Sequence, residues 1–312
     1  GAGGVINIIT KKQLKGSNGN LDATAGNYVQ SLGGSYGFKQ KKFGLTFSGN
    51  ANAEREKMIA EMTRTSLIAG RPAGELFQRN YANNVSRGWF GDLSMEYAFD
   101  TLNRVNLSVS SWGGTWPNSG TLYNRFRNTD NRVSQEYNQI VDQKNPFGNI
   151  EWNLGYTRLF HKPKQELSVL GQYSYTFDNN RYASNQFDTA NRLIYRETST
   201  NLSRNPQWTW QIDYSHPFSK SGQHLFEVGA KLVQRNVRSV YDIYASQPDD
   251  VNQLILSDDR SNTFTYNQQV MAGYASLKLT GKTLWTLQLG TRLEKTTMDG
   301  QFKSTVSPFN VQ

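Results

Sequence analysis

The sequence predicts an all-β protein, an antiparallel transmembrane β-barrel meander with about eleven strands present. Three observations lead there: apolar and polar residues alternate with period two along most of the chain, the connections alternate between short and long, and aromatic residues gather at strand ends. The 312 residues include no cysteine, which excludes a disulfide framework, Cys-ligated zinc and a thiol nucleophile. No run of about 18 apolar residues occurs, so no helix is expected to cross a membrane. A barrel strand escapes that test, because every second residue faces the lumen. Lys and Arg total 34 against 25 Asp and Glu, a net charge of +9. The basic residues are spread out, with short clusters only at Lys11/Lys12 and Lys39/Lys41/Lys42. Nucleic-acid binders concentrate such charge on one face, so no nucleic-acid partner is expected.

Strands are expected near 20–26, 30–39, 43–55, 88–99, 104–113, 149–160, 165–177, 206–216, 223–235, 265–279 and 283–294. In the third, Phe43, Leu45 and Phe47 alternate with Gly44, Thr46 and Ser48. In the eighth, Trp208, Trp210, Ile212 and Tyr214 alternate with Thr209, Gln211, Asp213 and Ser215. The tenth is ambiguous, since Val270, Ala272 and Tyr274 compete with Met271, Ala275 and Leu277 for the apolar face. Most segments reach the roughly 9–11 residues that a tilted strand needs to cross a bilayer.

Short turns are expected at Gln40–Lys42, Asp100–Asn103, His161–Lys164, Pro217–Gly222 and Thr280–Lys282, and long polar loops at 56–87, 114–148, 178–205 and 236–264. Long connections at one end and tight turns at the other are the habit of outer-membrane barrels. Trp89, Trp152, Trp208, Trp210, Tyr175 and Phe177 lie toward the long-loop end; Tyr36, Phe38, Phe43, Tyr97, Phe99, Tyr214, Phe226 and Trp285 lie toward the short-turn end. Two such girdles suit the two membrane interfaces.

The first residues carry a motif, Gly3-Gly4-Val5-Ile6-Asn7-Ile8-Ile9-Thr10-Lys11. Physically it reads as glycines that allow close backbone approach, followed by a short β-branched strand. It also resembles the closing strand of the plug domain in TonB-dependent outer-membrane receptors, which stands immediately before barrel strand one. The resemblance implies that residues 1–12 end a plug and residues 13–312 form the N-terminal half of a barrel of about 22 strands. It also implies a TonB contact through a segment upstream. Beginning at Gly1 without Met and ending at Gln312, the sequence reads as a piece of a longer protein, expected to form an open, curved sheet.

No catalytic residue, cofactor or metal site is expected. His161, His216 and His224 lie in or beside short turns, none with a second His two to four residues on. In the long loops, Arg64, Arg71, Arg79 and Arg125 could meet an anionic ligand or lipopolysaccharide phosphates, and Trp116 and Tyr123 could stack on a ring. Asp92, Glu96, Glu151, Gln211, Asp213, Glu227, Lys231 and Arg292 oppose apolar faces and are expected to face the lumen. The expected function is TonB-dependent active uptake of a scarce ligand (siderophore, cobalamin, oligosaccharide or peptide) across the outer membrane, with outer-membrane lipid and lipopolysaccharide, TonB and the imported ligand as partners. A passive porin or structural barrel is the alternative; a soluble carbohydrate-binding module or hydrolase is a third reading.

Overall fold

A computed structural model describes residues 16–218, 223–281, 285–303 and 309–311; the Gly3–Lys11 motif lies outside them. Fifteen strands form one antiparallel sheet: β1 (Gly16–Ala25), β2 (Val29–Gln40), β3 (Phe43–Ile68), β4 (Arg71–Ala98), β5 (Asn103–Thr115), β6 (Gly120–Arg127), β7 (Val133–Lys144), β8 (Pro146–Leu159), β9 (Glu166–Phe187), β10 (Leu193–Pro217), β11 (Leu225–Ser246), β12 (Leu254–Leu256), β13 (Asn262–Thr280), β14 (Thr286–Phe302) and β15 (Phe309–Val311). The order looks irregular only around β5–β8, and the register explains why. Along β4, Arg87 faces Thr115 of β5 and Ala82 faces Gly120 of β6, so one register runs through both. The same continuity joins β7 to β8 against β9, where Lys144 faces Arg181 and Phe147 faces Asp178. Thus β5–β6 is one strand interrupted at 116–119, and β7–β8 is one strand interrupted at Asn145. Pro117 and Pro146 sit at the interruptions and lack the N–H that a ladder requires. With the two three-residue strands set aside, the sheet is a meander of eleven long strands, matching the eleven expected from sequence.

The apolar residues keep to one face across the whole meander. The register row Phe43, Tyr97, Val105, Tyr156, Val169, Ile212, Ala230, Gly273 and Leu293 holds one residue per strand from β3 to β14. Phe43 adjoins its turn, whereas Leu293 stands well up its strand. A row that climbs in this way means tilted strands, the geometry a barrel needs to close. The ambiguous strand, β13, is resolved by its partners: Met271 faces Leu232 on the apolar side, while Tyr274 hydroxyl donates to Asp213 on the other. Trp210 spreads over Gly171 of the neighbouring strand, where an added Cβ would come within 2.7 Å of the ring; an aromatic thereby covers the gap a glycine leaves in a face.

This face is bare. Leu154 is 56% and Leu293 79% exposed, and among the described residues only Leu76, Ala82, Ile243, Ala272 and Pro217 are buried apolar side chains. The accessible surface is 21476 Å², against roughly 13,000 Å² for a compact soluble protein of this mass. A soluble module cannot be built on such a surface; lipid is the solvent that fits it.

Four connections differ from expectation. Segments 56–87, 114–148, 178–205 and 236–264 are mostly strand rather than loop, and the β1–β2 connection at the same end is short, residues 26–28. β4 has 28 residues; at about 3.3 Å each and a tilt near 45°, it rises ~65 Å, about twice the ~30 Å hydrocarbon core. The excess stands in water as hairpins. There both faces are solvated, so apolar alternation fades while the backbone ladder continues. The tips are tight: Ala69 and Gly70 both have positive φ (49° and 76°), as a two-residue type I′ turn demands. Two other tips share one construction. Asn128 Oδ1 accepts the N–H of Asp130 and Arg132 at 3.1 and 2.9 Å, and Asp188 Oδ1 accepts the N–H of Ala190 and Arg192 at 2.9 and 2.8 Å. Asn131 and Asn191 take the left-handed position in each.

Leu154→Arg on the apolar face is expected to cost about 2–4 kcal/mol in reversible unfolding from lipid vesicles. Asn153→Arg, one residue away on the opposite face, is expected to change stability by well under about 1 kcal/mol.

Candidate functional site

All eight residues expected to face the lumen stand on the polar face, because each pairs in register with residues of that face. Asp92 and Glu151 both face Ser110, one from each side. Glu96 lies 3.8 Å from Lys39, and Glu151 accepts from Asn153 at 2.8 Å. Gln211 faces Lys231 across β10 and β11. The densest grouping joins β10, β13 and β14: Gln211 Nε2 donates to Asp213 at 2.8 Å and to Tyr274 Oη at 3.1 Å, and the Tyr274 hydroxyl donates to Asp213. The Arg292 guanidinium lies 5.7 Å from the Tyr274 ring centre and 2.6 Å from Glu294. Ser276 donates to Glu227 at 2.8 Å. Asp213, Glu227 and Arg292 line one open concavity of about 500 Å³.

Above this band the same face continues along the hairpins as a wall of amides, hydroxyls and tyrosines. Gln78 donates to Asn124 at 2.6 Å, Gln139 to Tyr182 and Ser184 at 3.1 and 2.8 Å, and Ser239 to Asn201 at 2.9 Å. Asn124 is only 1% exposed, so its hydrogen bonds are what make its position tolerable. At the far end Glu197 accepts from Arg260 at 2.8 Å and from Tyr195 at 2.6 Å. Burial pulls the Glu197 carboxyl up, but the hydrogen bonds from Arg260 and Tyr195 outweigh it and hold the group below its ordinary range. The bond to Glu197 raises Arg260 in return.

The candidates from the long segments fall elsewhere than expected. Arg64, Arg71, Arg79, Tyr123 and Arg125 are on strands, and Trp116 is in the β5–β6 interruption. Arg79, Tyr123 and Arg125 project from the face that lower down carries Trp89 and Tyr97, not from the polar wall, because β4 alternates without a break from Gly74 to Ala98. Arg79 pairs with Glu61 at 2.6 Å. Tyr123 donates to Glu136 at 2.5 Å, its ring meets Phe77 at 6.1 Å, and Arg125 lies 5.2 Å over the same Phe77. Trp116 stacks on Phe147 at 4.4 Å. The two contacts with Phe77 join neighbouring hairpins, and the others each brace a single hairpin. Arg64 faces Leu76 on β4, and Arg71 faces Ile68 at the hairpin tip; neither joins the other candidates.

Sequence reasoning missed Gln78, Asn124, Gln139, Tyr182, Ser184, Tyr195, Glu197 and Arg260. The available signal was the recurring pair Asn128-Thr-Asp-Asn-Arg132 and Asp188-Thr-Ala-Asn-Arg192, which marks two hairpin tips and so makes the flanking segments strands. Of the turn histidines, His216 Nδ1 lies 3.2 Å from the Tyr214 hydroxyl and His224 Nδ1 accepts the Thr280 N–H at 3.3 Å.

Residues 158–312 match the model of a family described as the outer membrane protein beta-barrel family. No curated protein matches the sequence.

The Asp188 tip carries a pH dependence. Hydrogen bonds from the Arg192 backbone and side chain hold the Asp188 carboxyl below its ordinary value. A carboxyl lowered by folding stabilises fully above its unfolded value near 4 and loses that contribution as pH falls through the folded one. Protection of the Ala190 and Arg192 amides, measured as exchange relative to an unstructured amide at the same pH, is therefore expected to hold down to about pH 4 and to fall only below it. Asp188→Ala is expected to quicken exchange there at neutral pH too.

Proposed function

Starting from a protein that crosses the outer membrane as a multi-pass β-barrel, we propose that it works as an energy-coupled importer that takes up a scarce ligand with the help of TonB. The observation that carries this reading is the polar face, which runs unbroken from the membrane band into the tall hairpins. A ligand descending from outside would meet hydrogen-bonding side chains along the whole path. The Gly3–Lys11 segment supports energy coupling through its resemblance to a closing plug strand.

The sheet edges support a larger barrel. Among the described residues β1 and β14 do not pair with each other. In lipid each unpaired backbone group costs several kcal/mol, so further strands of the whole protein would meet these edges, consistent with about 22 in all. In this reading Asp213, Tyr274, Arg292 and Glu227 contact the plug or the passing ligand, and the chain performs no covalent chemistry. TonB acts through the plug, outer-membrane lipid surrounds the barrel, and the ligand is a siderophore, cobalamin, oligosaccharide or peptide.

The test is accumulation of a panel of ferric chelates, cobalamin, oligosaccharides and peptides in cells with and without the gene. At least one ligand is expected to accumulate above its outside concentration, and to fall to background when the proton-motive force is collapsed or TonB is deleted. Flux that only equilibrates, unaffected by either treatment, would identify a passive porin instead.

A further inference from the structure

We propose that Arg204 and Arg238 form a binding site, on the outer surface of the barrel, for the phosphorylated headgroup of an outer-leaflet lipid. The two residues face each other directly across β10 and β11. Like charges placed opposite on one face destabilise a strand pair; both side chains are exposed, and among the described residues neither has an ion pair or a side-chain hydrogen bond. Such a pair needs an anion from outside. From register-paired positions on one face, two guanidiniums can converge on the oxygens of one phosphate, which each can bind in a forked manner.

The setting fits an amphiphile rather than a free ion. Arg204 shares a face with Pro206, Trp208, Trp210 and Ile212 along β10, so an apolar stripe leads from the arginine pair into the membrane band. The rings of Trp208 and Trp210 lie parallel, 5.9 Å apart, and Tyr173 packs 4.5 Å from Trp208. Beside them Trp152 and Leu154 complete an apolar groove of about 600 Å³, wide enough for acyl chains. The headgroup end is a separate depression of about 460 Å³ that includes Arg204, Arg238, Asn236, Asn267 and Asp299. Asp299 belongs to β14, beyond β13 from Arg238, and Asp242 stands further up β11; neither is paired with the arginines. On the other flank two exposed arginines, Arg87 and Arg55, stand diagonal rather than opposite each other, above Trp89. This site does not depend on the transport reading, since it lies on the opposite face of the sheet from the candidate ligand path.

The experiment is native mass spectrometry of the detergent-extracted protein, titrated with diphosphorylated lipid A. Wild type is expected to retain the lipid, and the double variant R204Q/R238Q to bind it roughly tenfold more weakly. R204K/R238K should lie between them, because lysine keeps the charge and loses the fork. Dephosphorylated lipid A is expected to bind as weakly to wild type as lipid A does to the double variant. Inorganic phosphate at millimolar concentration should leave the bound lipid in place. Unchanged retention in the double variant, equal binding of the dephosphorylated lipid, or displacement by inorganic phosphate would each overturn the proposal. Heat-modifiable migration on a gel reports whether the double variant assembles. If it does not, the single variants R204Q and R238Q decide the matter, with an intermediate loss expected in each and no loss counting against the site.

Discussion

The backbone ladder is the constraint on which everything else rests. A chain in hydrocarbon must satisfy each N–H and C=O from within the protein, and an unbroken antiparallel register is how this sheet does so. Because side chains alternate strictly, that register also fixes the faces: a slip of one residue in any strand would exchange its lipid side and its lumen side. The row from Phe43 to Leu293 keeps apolar residues, alanine or glycine in one line from β3 to β14. The polar face with its Asp213–Tyr274–Gln211 grouping exists because the opposite face is given to lipid.

Proline shows how robust the ladder is. Pro117 and Pro146 break two adjacent strands near the same level, yet the register above and below the breaks is unchanged. Side chains repair the interruption: Asn145 Oδ1 accepts the Trp116 N–H and Asn84 Oδ1 accepts the Ser119 N–H, both at 2.9 Å. Donors lost to the ladder find a partner locally, and the hairpin above continues as though the strand were whole.

The membrane band was legible in the sequence and the hairpins above it were not, for one physical reason. Apolar alternation records a difference between two solvents, lipid on one side and the lumen on the other. Trp208, Trp210 and Ile212 against Thr209 and Gln211 display it plainly. Above the membrane, where Arg79 faces Glu61 and Gln139 reaches Ser184, water bathes both sides and nothing selects for alternation. The residues of the polar face can therefore be read one by one from the sequence, whereas Arg79, Tyr123 and Arg125, expected in loops, stand on strands and on the other face. Arg204 and Arg238 stand near the boundary of the two regimes, and their opposition across two strands is a property of register that no single segment of sequence displays.

The account turns on the two faces meeting different solvents, and the cysteine-free chain allows a direct measurement. Single cysteines would be placed at neighbouring positions Ser108 and Leu107, Asn153 and Leu154, and Gln211 and Ile212, and challenged in intact outer membranes with a small water-soluble thiol reagent and with a lipid-soluble one. The account predicts that Ser108, Asn153 and Gln211 react from water while Leu107, Leu154 and Ile212 react only from lipid. Equal reactivity of the two members of each pair with the aqueous reagent would contradict it.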